Sequence, residues 1–128
     1  MRKFISIFLY AFLLNLVWEN LHKFLYVHYQ NGEITQLVLL RAAIMDAIMI
    51  SILIFVVTKL LKIFNRSLLI IIFGIIIAIV LETWALGAGR WLYKDIMPII
   101  PVINTGLTPT IQLGLTGFVT YVLVFKKR

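Results

Sequence analysis

The stretch Ser67-Leu-Leu-Ile-Ile-Ile-Phe-Gly-Ile-Ile-Ile-Ala-Ile-Val-Leu81 decides the fold. It holds no charge and shows no alternation of apolar and polar positions. A strand of a membrane barrel alternates over about ten residues, so a barrel is excluded and a helix remains. Extended from Ser67 to Ala88, the run is long enough to cross a hydrocarbon core of about 30 Å at roughly 1.5 Å per residue.

Three more runs of this kind flank it. They reach from Phe4 to Leu25, from Leu37 to Leu61 and from Thr108 to Phe125. The expected architecture is an all-α membrane protein, a four-transmembrane-helix bundle forming a single domain over residues 1–128. The composition, 62% hydrophobic and 13% charged, leaves too little polar surface for a soluble domain. The start, Met1-Arg2-Lys3 before an apolar stretch, has the look of a signal peptide. No small-residue cleavage site follows, so it reads as an uncleaved first span.

Connections are expected at Asn31-Gly32, at Lys62–Arg66 as a tight hairpin, and at Gly89–Leu107 as a longer segment. The last contains Pro98 and Pro101 within an apolar run, Ile96 to Ile103, which cannot continue as one helix. It is expected to lie in the interface or dip into the outer leaflet. Thr108 then Pro109 reads as the N-cap and first residue of span four.

Charge sets the orientation. Arg2, Lys3, Lys59, Lys62, Arg66, Lys126, Lys127 and Arg128 fall at the N-terminus, the second connection and the C-terminus, with no acidic residue among them. Four spans bring these three places to one side. The positive-inside rule makes that side cytoplasmic, giving an N-in/C-in multi-pass protein of the cell inner membrane. The same distribution explains the net charge of +7 through lipid anchoring, so nucleic acid is not an expected partner. The absence of cysteine excludes disulfides and thiol chemistry.

One polar group per span falls at a common depth. Glu19, Asp46 and Glu82 each lie 15 residues from the cytoplasmic end of their span, and Gln112 lies 13 residues from it. All four are therefore roughly 20–23 Å above the inner boundary. Ala11, Asn15, Glu19 and His22 share a face by helical spacing. So do Ala42, Asp46 and Ile50, with Ala43 and Ala47 beside them. Gly74, Ala78 and Glu82 form a third such face, and Thr108, Gln112, Thr116 and Thr120 a fourth, near Gly114 and Gly117. Small residues permit close helix approach, so these faces point inward.

A carboxylate in hydrocarbon costs at least about 3 kcal/mol unless paired, protonated or hydrated. Arg41, His22 and Arg90 are the available partners. Glu19-x-x-His22 has the spacing of a metal-ligating pair, but one such motif with Asp46 and Glu82 is a thin donor set, and no metal or other cofactor is assigned. His28 is read as interfacial. Trp18, Trp84, Trp91, Tyr26, Tyr29 and Tyr93 form an aromatic belt or, alternatively, line a slot for an acyl or isoprenoid chain.

The motifs Gly89-Arg90-Trp91-Leu92-Tyr93, Met97-Pro98-Ile99-Ile100-Pro101 and Gly106-Leu107-Thr108-Pro109-Thr110-Ile111-Gln112 resemble a family of small bacterial four-helix membrane proteins. That resemblance covers the chain from Glu82 onward and implies a bacterial source without an activity. The membrane Glu followed by an aromatic-Tyr segment and prolines also resembles membrane carotenoid cyclases and hydratases, over a shorter length. Phosphate-binding loops and nucleophile elbows are missing from the sequence.

Three functional readings follow. In the preferred one, an outer-leaflet site binds or acts on an amphiphilic lipid or isoprenoid-like substrate. Glu19 and Glu82 form the acid/base pair, with Asp46 and His22 orienting them. Arg41, Arg90, Gln112, Asn15, Trp84, Trp91 and Tyr93 bind substrate, and the Pro98–Pro101 segment is the lid. Membrane lipids are then the partners. The next reading is an accessory subunit whose polar cluster only fixes packing. The last is a proton- or ion-coupled transporter, which implies a homo-oligomer.

Overall fold

The computed structural model describes residues 2–29, 32–60 and 65–126. Asn31, Leu61, Lys62, Lys127 and Arg128, used above for turns, span ends and charge, lie outside the described residues. Four helices dominate: α1 (Arg2–His22), α2 (Gln36–Phe55), α3 (Arg66–Gly87) and α4 (Leu107–Phe125). Among the described residues, these four are long and apolar enough to cross a membrane.

Local chemistry places their ends. The Thr35 hydroxyl accepts from Val38 N–H at 3.3 Å and caps α2, and Asn65 Oδ1 accepts from Leu68 N–H at 3.0 Å and caps α3. The far end of α2 widens into a π-helical turn over Val56–Leu60. The fourth helix departs from the sequence expectation. Its N-cap is Gly106, which leaves Thr108 and Pro109 inside the first turn. A proline is tolerated there because the first-turn N–H groups have no intrahelical acceptor. Thr108 is thereby released from capping and serves the site described below.

Helix α1 lies along α2 and α4, and α4 lies along α3, whereas α2 and α3 touch only sparsely. The closest approach is between α3 and α4. A Cβ added to Gly74 would stand 2.5 Å from Gly114 Cα, so neither position has room for a side chain. Lys3 Nζ lies 4.6 Å from the Phe125 ring centre, and the Phe4 and Phe55 rings are 5.6 Å apart. The start of α1 thus meets the ends of α2 and α4 at one end of the bundle, here called basal. Ile7, Ile50, Ile54, Val57, Ile70 and Tyr121 belong to its apolar core.

The distal end holds short strands that the all-α expectation did not include. After α1, a 3-10 turn (Lys23–Leu25) leads into β1 (Tyr26–Tyr29), which pairs antiparallel with β2 (Trp91–Tyr93). A second pair joins β3 (Ile99–Ile100) to β4 (Thr105–Gly106). Leu107 N–H donates to Pro98 C=O at 2.7 Å, and buried Met97 covers Gly106, where an added Cβ would meet its sulfur at 2.8 Å. This hairpin is therefore fastened to the start of α4. Its tip turns through Val102 (φ 76°) and Asn104 (φ 58°), and Val102 is 95% exposed.

Candidate functional site

Helical spacing delivers the polar side chains to one level. The buried stripe of α1 is Ile7, Ala11, Asn15, Glu19 and His22; that of α3 is Ile70, Gly74, Ala78, Glu82 and Ala85. On α4, Gln112, Thr116 and Thr120 are buried beside Gly114 and Gly117. On α2 the buried seam runs Leu39, Ala43, Ala47, Ile50 and Ile54. Ala42 and Asp46, expected at its centre, lie on its edge and line a cavity.

Gln112 ties three helices together. Its amide nitrogen lies 2.9 Å from each of Asn15 Oδ1, Glu19 Oε2 and Asp46 Oδ2. An amide NH₂ carries two hydrogens, so three acceptors share them and the carboxyls of Glu19 and Asp46 are drawn together. The other Glu19 oxygen meets His22 Nε2 and accepts from Tyr29 Oη, both at 3.3 Å. His22 Nδ1 is 3.1 Å from Thr108 Oγ1, which accounts for the threonine that does not cap α4. Asn15 donates to Ala11 C=O at 2.8 Å and accepts from Thr116 Oγ1 at 3.3 Å.

Glu82 has a separate set of partners. Tyr26 Oη at 3.3 Å, Trp91 Nε1 at 3.2 Å and Tyr93 Oη all donate to its Oε1. Among the described residues no donor reaches Oε2. Gly106 N–H donates to Tyr93 Oη at 2.9 Å, which links the β3–β4 hairpin to this carboxylate. The β1–β2 pairing makes the arrangement possible, since it brings Tyr26 opposite Tyr93 and Tyr29 opposite Trp91. Burial pushes the phenols of Tyr26, Tyr29 and Tyr93 above their ordinary range, and the neighbouring Glu82 or Glu19 pushes them further. These tyrosines therefore remain hydrogen-bond donors at neutral pH.

Of the partners available to the carboxylates, Arg41, His22 and Arg90, only His22 meets one among the described residues. Among the described residues the one ion-pair contact is His22 with Glu19 at 3.3 Å, and neither arginine reaches a carboxylate. Arg90 instead packs its guanidinium 5.3 Å from the Trp84 ring centre. The carboxylates are held by amide, phenol, indole and imidazole groups. No group of three or more His, Asp or Glu among the described residues is arranged to hold a metal ion.

A cavity of about 620 Å³ adjoins this network, within the usual size of small-molecule sites. Glu19, His22, Asp46, Glu82 and Gln112 line its buried part, with Tyr26, Tyr29 and Trp91. Half-buried Arg90 and exposed Arg41, Gly32 and Glu33 also line it, and Met45, Met49, Leu81 and Leu113 give it apolar walls. Of the residues assigned from the sequence to catalysis or substrate binding, Asn15 and Tyr93 do not line it and act by holding Gln112 and Glu82. The Pro98–Pro101 segment, expected as a lid, does not line it either, being fastened to α4. Tyr26 and Tyr29, read from the sequence as belt or slot residues, and Thr108 and Thr116, read as sharing the inward face of Gln112, join the network without having been assigned a role in the site. No family model, no curated protein and no solved structure matches the chain.

Proposed function

We propose that this chain is a multi-pass protein of the bacterial inner membrane, with both termini in the cytoplasm, that binds or acts on an amphiphilic lipid or isoprenoid-like substrate in the outer-leaflet half. The observation that carries the proposal is the cavity of about 620 Å³, with carboxyl, imidazole and amide groups in its buried part and methionine and leucine in its walls. A polar head group and an apolar chain would each find matching surface there. Glu19 and Glu82 serve as the acid/base pair, with Asp46 and His22 orienting them. Trp84 and Trp91 supply apolar contact, and Arg41 and Arg90 meet an anionic group.

Orientation follows from charge. Arg2, Lys3, Lys59, Arg66 and Lys126 belong to the basal end, whereas Glu33 and Asp95 are in the distal connections. The basal end is therefore assigned to the cytoplasm. A membrane lipid is favoured over a transported proton or ion by the basal half. There Ser51 and Thr58 donate to carbonyls of their own helix at 2.7 Å, and Thr120 Oγ1 is buried without a partner among the described residues. Little is left to pass a proton inward. A purely structural cluster would have no need of an adjoining cavity.

The test is to purify the protein from its membrane and extract whatever lipid stays bound. Wild type is expected to retain a lipid species stoichiometrically, and Glu82→Gln combined with Arg90→Ala to reduce its occupancy about tenfold. That loss corresponds to about 1.4 kcal/mol. Absence of any bound amphiphile from folded wild-type protein, or equal occupancy in the variant, rejects the proposal.

A further inference from the structure

Apart from the His22–Glu19 contact, the acidic and basic side chains around the cavity are separated rather than paired. Glu19, Asp46 and Glu82 stand in its buried part, and Glu19 and Glu82 are 5–6% exposed. Exposed Arg41 and half-buried Arg90 also line it, and no ion pair joins them to Glu33 or to any other carboxylate among the described residues. Natural bundles bury charges in pairs, because an unpaired buried charge costs several kcal/mol. Here, His22 and Glu19 apart, the carboxyl and guanidinium groups line the same space without reaching each other. A ligand that carries both signs would complete both sets.

The geometry points to a zwitterionic amphiphile, and we infer that the site of the proposed function takes an ammonium-bearing phospholipid head group. This rests on that proposal and narrows its substrate class. The ammonium enters between Glu19, Asp46 and Glu82, where Glu82 Oε2 has no donor among the described residues and the rings of Tyr26, Tyr29 and Trp91 line the space. Carboxylate oxygens accept from the ammonium hydrogens, and aromatic faces attract the cation. The phosphodiester meets Arg41 and Arg90, whose guanidinium groups bind phosphate oxygens in pairs.

The acyl chains leave between α2 and α3. These two helices touch only sparsely. Met45 and Trp84, on opposite sides of the gap, are 56% and 55% exposed while also lining the cavity. A head group can therefore enter the bundle while its chains stay in the surrounding hydrocarbon.

The experiment gives the full-length protein an equimolar mixture of phosphatidylethanolamine, phosphatidylcholine, phosphatidylglycerol, phosphatidic acid and diacylglycerol in detergent. Retained lipid is read by native mass spectrometry. Wild type is expected to retain the ammonium-bearing lipids at least tenfold over the others. Preference for phosphatidylethanolamine over phosphatidylcholine would identify a hydrogen-bonded primary ammonium, and the reverse an aromatic-held quaternary one; both support the inference. Asp46→Asn is expected to abolish the preference while leaving weak phosphatidylglycerol binding, and Arg41→Ala with Arg90→Ala to weaken every phospholipid. Equal or greater retention of phosphatidylglycerol, phosphatidic acid or diacylglycerol by wild type overturns the inference and leaves a lipid site in place. Retention of no lipid at all overturns both. The wild-type selectivity requires no variant to fold.

Discussion

Gln112 is the residue on which the network turns, because one amide nitrogen serves acceptors on α1 and α2 from α4. Gln112→Leu strips the donor from Asn15, Glu19 and Asp46 at once, leaving buried acceptors unsatisfied. A loss of about 1–3 kcal/mol is expected, read as a lower unfolding temperature in detergent. Thr120→Val is the contrast: its hydroxyl is buried without a partner among the described residues, so its removal should leave the unfolding temperature unchanged or raise it. The tyrosines give a pH signature. Tyr26, Tyr29 and Tyr93 hold their protons more tightly folded than unfolded, since burial and then the nearby carboxylates disfavour the phenolate. Above about pH 10 the unfolded chain binds fewer protons than the folded one, so stability is full below that pH and falls as pH rises beyond it. Tyrosinate absorbance should show these three titrating only with alkaline unfolding; normal titration near pH 10 in the folded protein would contradict their burial against Glu82 and Glu19.

Among the elements, α3 and α4 are the most closely packed pair of the bundle. Its crossing at Gly74 and Gly114 brings backbone against backbone, and an added methyl group at Gly74 has nowhere to go. Gly74→Ala is expected to force the helices apart and cost roughly 1–3 kcal/mol. Gly87→Ala, with nothing within 4 Å of the new methyl, is expected to be neutral. Equal unfolding temperatures for the two variants would refute the close crossing. The strand pair β1–β2 has a different role. It ties the chain after α1 to the chain after α3 and so delivers aromatic donors to carboxylates on both helices.

For the whole molecule, the basal and distal ends differ in kind: an apolar core lies below and a polar network with a cavity above. The proposed orientation puts the distal end outside the cell. The chain has no cysteine, so a single introduced thiol reports its own side. Glu33→Cys and Asp95→Cys should react with a membrane-impermeant maleimide added to intact cells. Arg2→Cys and Lys126→Cys should react only after the membrane is opened. Labelling of Arg2→Cys in intact cells would reverse the assigned topology.

The helices and most of their inward faces were legible in the residues themselves. Asn15, Glu19 and His22 share a face because a helix repeats every 3.6 residues, and Gly74, Ala78 and Glu82 do so for the same reason. On α2 adjacent Ala42 and Ala43 are both small, so periodicity alone could not centre the seam, and packing on α1 selected Ala43. Local rules misplaced Thr108, whose hydroxyl serves His22 rather than the start of its helix. They also could not show that Tyr26 and Tyr93 meet over Glu82, or that Arg41 and Arg90 remain apart from the acids. Hydropathy and helical period are properties of neighbouring residues along the chain. The partner of a buried polar group is chosen by side chains as far as 101 positions away, and only the packed helices bring them within hydrogen-bonding reach.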